Sequence, residues 1–378
     1  MTRRGTDMAI LGIGTALPSY RLEQEETSSK LTEALTSAGY RQAARWAKKI
    51  FSSCGVETRF TCEPELLESG DNCRYVAYSS LNQVPSTDER MKKYREEAVP
   101  LGFEAAVRAL EDSGVHTADI THLITVSCTG IFLPGLDAAL THKLELAADV
   151  KRIPLTFLGC AAGMTALRMS ADIVEHYPAA KVLVVCVELC TLHIQPSGER
   201  EALFGAAFFG DGASACVVGT PDFREKGVIS LGRQRAVLFP DSADEMVWNV
   251  GNYGFDLYLS PHIPKLIGKY VPPEVDRLLD GGPVPEFWAI HPGGRGIIDT
   301  IQELYGLSEE QTEASRSVLR QCGNLSSATI LFVLQHLRQA LDTTARSPKQ
   351  GMALAFGPGL NAELMQLTYW PPSFPMER

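Results

Sequence analysis

Apolar residues recur along this chain with two alternating periods. In GFEAAVRALEDSG (102–114) they fall three and four apart, which predicts a helix, and the short apolar run HLITVSC (122–128) predicts a strand. IPLTFL (153–158) predicts a second strand, after which Met164, Leu167, Ala171 and Val174 recur at helical spacing. KVLVVCVEL (181–189) and GASACVVG (212–219) are valine-rich runs expected as buried strands. The theme returns downstream: EFWAI (286–290) as a strand, GIIDTIQELYGL (296–307) and SSATILFVLQHLRQAL (326–341) as helices, GMALAF (351–356) and AELMQLTYW (362–370) as strands. Alternating elements of this kind predict a layered α/β protein with sheet covered on both faces. The polar stretch GTPDFREKG (219–227) separates two halves, expected as 1–222 and 223–378, with no repeat between them visible in the sequence.

With 45% hydrophobic and 21% charged residues the 378-residue chain reads as globular, and no apolar run approaches the roughly 18 residues of a membrane span. The apolar part of MTRRGTDMAILGIGTALPSY is short, broken by glycines and strand-like, so a cytoplasmic protein is expected rather than a secreted one. Nine cysteines lack the paired spacings of disulfide frameworks or zinc sites, and no metal or cofactor is expected. Cys128, Cys186 and Cys216 lie in strand-like runs and read as small core residues. A net charge of −10 argues against a nucleic-acid partner. GIGTALP has no third glycine at the spacing of a dinucleotide fingerprint.

Three features carry candidate chemistry. In TFLGCAAGMTALRMS (156–170), Cys160 stands where a strand gives way to a helix, and unpaired N–H groups at a helix start favour a thiolate. Small neighbours leave room for a substrate; the plainer alternative is a buried structural cysteine. In FWAIHPGGRGIID (287–299), His291 ends a strand on a glycine-rich turn, a place where α/β proteins put reactive groups. His142 and His336 lie within helical patterns and read as structural. In CGNLSSATILFVL (322–334), Asn324 reads either as a helix cap or as a neutral donor to a developing oxyanion.

Taken together, ILGIGTALP (10–18), LGCAAG (158–163), FFGDGASA (208–215), HPGGRGIID (291–299), GNLSSA (323–328) and FGPGLNAEL (356–364) resemble the type III polyketide synthases, the chalcone synthase-like family, in order and spacing. The resemblance implies a thiolase-like αβαβα fold of two similar halves, the first carrying the nucleophile Cys160 and the second His291 and Asn324. It implies acyl-CoA and malonyl-CoA as substrates, joined by decarboxylative condensation and followed by cyclisation to a pyrone, resorcinol or related product. It implies that Phe209 and Phe255 are gatekeepers between a coenzyme A tunnel and the cavity, and that Ser326 belongs to the substrate site. Leu133 matches a methionine that reaches across a dimer interface, which implies a homodimer. Arg41, Arg45, Lys48 and Lys49 share one face of the predicted helix YRQAARWAKKIF (40–51), opposite Ala43, Ala47 and Ile50. The family places its coenzyme A phosphate contacts in this helix, with Lys49 the best match and Arg45 and Lys48 next.

The chain departs from the plant enzymes inside the cavity. Cys190 and His193 stand where plant chalcone synthases carry two threonines, and Met246 falls near a cavity-wall glycine, so a bulkier wall is expected. These differences resemble bacterial members. The alternative enzyme is a ketoacyl-ACP synthase III-like protein, which shares Cys–His–Asn but takes malonyl groups from a carrier protein and stops after one condensation. A hydroxymethylglutaryl-CoA synthase, a thiol hydrolase and a non-catalytic partner subunit agree less well with Cys160, His291 and Asn324 together.

Overall fold

The strand Lys181–Leu189 shows how the layers are built. Val182, Val184 and Cys186 enter one hydrophobic core while Leu183, Val185, Val187 and Leu189 enter another, so both faces of the sheet are buried. A continuous apolar run, rather than an alternating one, is the consequence. The computed structural model describes residues 8–69, 72–76, 78, 83–221 and 227–372. The expected boundary at 222/223 therefore lies outside the described residues.

The first half contains β1 (Ala9–Ala16), β2 (Tyr20–Glu23), α1 (Gln24–Ser37), α2 (Arg41–Ser53), β3 (Thr58–Thr61) and α3 (Thr87–Ser113). It continues through β4 (His122–Ser127), α4 (Leu136–Lys143), β5 (Lys151–Thr156), α5 (Ala162–His176), β6 (Lys181–Leu189), α6 (Arg200–Phe208) and β7 (Asp211–Gly219). The second half begins with β8 (Val228–Leu238), β9 (Met246–Gly251), β10 (Gly254–Leu259), α7 (Ile263–Leu279) and β11 (Phe287–Ile290). It ends with α8 (Arg295–Tyr305), α9 (Glu309–Cys322), α10 (Thr329–Thr344), β12 (Lys349–Gly357) and β13 (Asn361–Trp370). The predicted helix at 102–114 is the end of a much longer one. Its first turns, TDERMKKYREE, are too polar to show a core stripe, but Ser86 and Glu89 cap it reciprocally, a sequence-readable start.

Among the described residues nine strands form one sheet, in the order β11-β12-β13-β8-β1-β7-β6-β4-β5. Its two halves repeat one pairing scheme. In the first, β1–β7 and β7–β6 are antiparallel and β6–β4 parallel. In the second, β8–β13 and β13–β12 are antiparallel and β12–β11 parallel. This is the repeat that the sequence conceals. Helices α5 and α10 share a central core with residues from both halves. Helix α3 covers the outer face of the first half, and α7 and α8 cover that of the second. The layers run αβαβα, as expected.

Candidate active site

Cys160 is held at the end of the β5–α5 connection by two close backbone approaches. Gly159 has φ +73°, and a Cβ there would lie 2.0 Å from Pro358 Cδ in the FGPGL turn. A Cβ on Gly163 would lie 2.3 Å from Ser327 O, so only glycine lets α5 lie against the 326–328 turn. That contact brings Ser326 Oγ to 3.6 Å from Cys160 Sγ. The thiol stands just before the start of α5, on a residue that is half-buried.

His291 follows β11 directly and its backbone N–H donates to Leu354 O at 2.8 Å. The residue is buried, and neither ring nitrogen has a hydrogen-bond partner in the protein. Asn324 pairs with Phe209 in a short parallel bridge between the two halves. Its Oδ1 accepts from Ser326 N at 2.8 Å, and its Nδ2 donates to Gly293 O at 3.3 Å, two residues beyond His291. The side-chain oxygen is engaged, so the amide presents donors, not acceptors, toward the histidine turn.

Cys160, His291, Asn324 and Ser326 line one cavity of about 620 Å³, within the size range of ligand sites. Phe209, Met246 and Cys190 line it too, as expected from the sequence. Burial pushes the Cys160 thiol up to about 11, against hydrogen bonds from Ser326 and Asn324 that favour the thiolate. Burial also pulls the His291 imidazole down to about 3. Burial thus disfavours charge on each of the two groups taken alone, against the thiolate-favouring start of α5.

The other expected site residues do not line this cavity. His193 and Phe255 do not line this cavity; they bound a smaller one of about 220 Å³ that shares Cys190, Phe209, Trp248 and Leu257 with it. Their rings stack at 4.1 Å, and His193 Nδ1 accepts from Phe255 N at 3.1 Å while Nε2 donates to Thr129 O at 2.7 Å. Both nitrogens are engaged and burial pulls the ring down to about 3, so His193 is neutral and packs against Trp248 and Phe255. The gate position expected for Phe255 is not on the cavity; Leu257, two residues along β10, is. Leu133 is 90% exposed and does not enter the cavity of its own chain. Arg45, Lys48 and Lys49 are exposed on α2, opposite buried Ala43, Ala47 and Ile50 as predicted, but none lines the cavity. From that helix Ile50 and Ser53 do, and the exposed lining residues Ser53, Arg200 and Arg295 mark the mouth.

Sequence reasoning missed several lining residues, Trp248 and Cys128 among them. Trp248 lines both cavities and donates from Nε1 to Cys128 O at 3.2 Å; its signal is β-strand alternation with Met246 in DEMVWNV. Cys128, read as core, instead lines the cavity with Sγ 3.0 Å from Ser326 Oγ. Beneath it Glu188, fully buried, accepts from Cys128 N at 3.1 Å, Thr129 Oγ1 at 2.7 Å and Ser327 Oγ. Burial raises the pKa of this carboxyl against those hydrogen bonds.

A family model described as chalcone and stilbene synthases, N-terminal domain, matches residues 1–222, and its C-terminal counterpart matches residues 231–370. The chain belongs to the chalcone and stilbene synthase family, the type III polyketide synthases. Members of this family are acyl-CoA condensing transferases. The chain is 30% identical over 365 residues to "Probable polyketide synthase 1" of Dictyostelium discoideum, covering 94% of this chain but 11% of that protein. It thus spans about a ninth of that relative's length. The fold matches the crystal structure of PKS-I from the brown alga Ectocarpus siliculosus with a TM-score of 0.87 at 29% identity, over 97% of this chain and 99% of that one. It also matches the C-terminal type III polyketide synthase domain of Steely1, a type I/III hybrid from Dictyostelium, with a TM-score of 0.86 at 28% identity, over 96% and 99%.

Proposed function

We propose that this chain loads an acyl group from a starter acyl-CoA onto Cys160 and extends it with malonyl-CoA, by decarboxylative Claisen condensation, to a small cyclised polyketide. The observation that carries this reading is the meeting of Cys160, His291 and Asn324 on one cavity. As the starter binds, the Cys160 thiol gives its proton to His291 and attacks the thioester carbonyl. Coenzyme A leaves as a thiolate and takes that proton back.

Malonyl-CoA then loses carbon dioxide, and the electron pair moves onto the thioester oxygen as an enolate. A neutral imidazole still donates one N–H, and the Asn324 amide adds a second donor without charge. A carboxylate in place of Asn324 would repel both malonate and enolate. The enolate carbon attacks the Cys160 thioester, and the thiolate of Cys160 departs from the product, free for reloading. Phe209, Met246, Trp248, Leu257 and Cys190 shape the space in which the chain grows and folds.

At the mouth, Lys49 follows Ile50 and Ser53 round α2 and reaches the phosphates of bound coenzyme A, with Arg200 and Arg295 across the opening. The exposed Leu133 and the edge strand β5, with four of its six residues exposed, support a homodimer in which Leu133 enters the partner's cavity. Nine unpaired cysteines fit a reducing, cytoplasmic setting. Among the described residues no helix is long and apolar enough to cross a membrane.

The test is incubation with malonyl-CoA and a panel of acyl-CoA starters, read by product mass and by intact-protein mass. Expected are one acyl adduct on Cys160 and its loss, with all products, in Cys160→Ala. An adduct on Cys190 or Cys128 instead would overturn the assignment.

A further inference from the structure

The end of α6 leaves carbonyls that no helical N–H reaches, and three in succession are taken from outside the helix. Gln24 Nε2 donates to Ala207 O at 2.8 Å, Asn324 N to Phe208 O at 2.8 Å and Arg59 Nη1 to Phe209 O at 2.9 Å. Arg59 Nε also donates to Gln24 Oε1 at 3.1 Å, so the two outer donors are joined. Arg59 belongs to β3, is fully buried and lines neither of the two cavities. Its stem fills the groove between the glycines that adjoin Phe209 and Asn324, the two residues of the bridge between the halves. A Cβ on Gly210 would lie 3.3 Å from Arg59 Cβ, and one on Gly323 would lie 2.9 Å from Arg59 Cγ. On its other side β3 is tied to the end of α9, where Thr58 Oγ1 donates to Gln321 O at 2.6 Å.

Stability is a weak reason for such a group. A buried cation is costly to desolvate, and apolar side chains of similar volume often serve a core as well or better. Burial lowers the guanidinium to about 10, with Cys54 and Asp211 opposing that shift, so it is charged at neutral pH. What a charged fork adds is direction, since its N–H groups hold two acceptors at fixed angles. We propose that Arg59 is a positioning residue for the decarboxylation step, setting the Asn324 amide at the distance and angle that the enolate oxygen requires. The inference rests on the reading of Asn324 as a donor to that oxygen. Arg59 acts through the bridge: it fixes Phe209 O, while Asn324 gives its N–H to Phe208 O and accepts from Gly210 N at 3.1 Å. Cys160 and His291 reach the cavity from other supports, the β5–α5 connection and the end of β11. Loss of Arg59 therefore unsettles the enolate donor and leaves the nucleophile and base in place.

The test separates the two half-reactions in Arg59→Met, which keeps an unbranched stem and loses the donors. Carbon dioxide release at saturating malonyl-CoA should fall about 10–100-fold, the scale on which a small misplacement of a catalytic group is felt. Single-turnover acylation of Cys160 at saturating acyl-CoA should change by less than about threefold, because its own groups have not moved. In an Asn324→Ala background the same substitution should lower the residual carbon dioxide release by no more than about twofold, since the group it positions is gone. Gln24→Leu leaves Arg59 in place but frees its Nε, and should give the same one-sided loss at about three- to tenfold. It carries the test if Arg59→Met does not fold. Equal losses in the two half-reactions would make Arg59 a support of the fold only and overturn the proposal. So would a loss that multiplies with that of Asn324→Ala, or a wild-type ratio of the two rates in the folded variants. Absence of both half-reactions in the wild-type protein would instead count against the underlying enzyme assignment.

Discussion

Asn324 Oδ1 accepts the backbone N–H of Ser326 at 2.8 Å, and this one bond decides what the asparagine can do. With its oxygen engaged, the amide turns Nδ2 toward Gly293 O and the histidine turn. The residue therefore caps the turn that leads into α10 with its oxygen and keeps its amide N–H groups as donors.

Replacing Asn324 by Ala should slow malonyl-CoA decarboxylation by about 10²–10³, the usual cost of one oxyanion donor. Acylation of Cys160 by a starter should suffer far less, since the thiol also has Ser326 and the start of α5 nearby. Carbon dioxide release and single-turnover acylation, measured separately, check this. Equal losses in the two half-reactions would make Asn324 a structural residue only.

The Cys160 thiol, pushed up to about 11 by burial, should be slow to alkylate at neutral pH. Its reaction with iodoacetamide in the free protein should rise about tenfold per pH unit through the neutral range, because only the thiolate reacts. A rate already level near pH 7 would mean that a thiolate–imidazolium pair exists before substrate binds. Mass mapping of the adduct assigns the rate to Cys160.

Trp248 lines both the cavity of about 620 Å³ and that of about 220 Å³, with Cys190, Phe209 and Leu257, and is the largest of these side chains, so Trp248→Gly should join them. We expect longer products or bulkier accepted starters, at a stability cost of about 3–5 kcal/mol for an emptied aromatic site. Met246→Gly should shift the profile in the same direction but less, since it widens only the larger cavity. Product profiles at matched malonyl-CoA are the measurement. An unchanged profile for Trp248→Gly would remove it from the wall.

His193 is buried neutral, with its folded pKa near 3 and an unfolded value near 6.5. Between those values the unfolded chain binds the extra proton, so stability is full above about pH 6.5 and falls as pH drops toward 3. His193→Ala should be less stable at neutral pH, yet lose stability less steeply on acidification, by up to one proton or about 1.4 kcal/mol per pH unit. Urea unfolding at several pH values tests this. The same variant should change product distribution without abolishing turnover; loss of enolate formation would give His193 a direct chemical role.

Local pattern was sufficient wherever one element made its own case. The valine-rich runs of β6 and β7 had to be strands buried on both sides, since nothing polar interrupts them. Cys160 at the start of α5 and His291 at the end of β11 were legible because strand-to-helix junctions announce themselves through small residues and glycine. The amphipathic face of α2 was legible for the same reason of period. Tertiary structure alone decided what depends on distance between elements. The two halves repeat one strand scheme although their residues do not, because pairing order is carried by backbone hydrogen bonds rather than by side-chain identity. Phe255 and Trp248 sit on the paired strands β10 and β9 and His193 packs against both, stacked on Phe255 and edge-on to Trp248, yet only Trp248 lines the larger cavity. Cys128 reads as core from its run, and becomes a cavity thiol only because β6 brings Glu188 beneath it and α10 follows a turn that brings Ser326 beside it. The influences on the thiol also oppose one another only in the folded chain: the start of α5 favours a thiolate, while burial raises the Cys160 thiol and lowers the His291 imidazole.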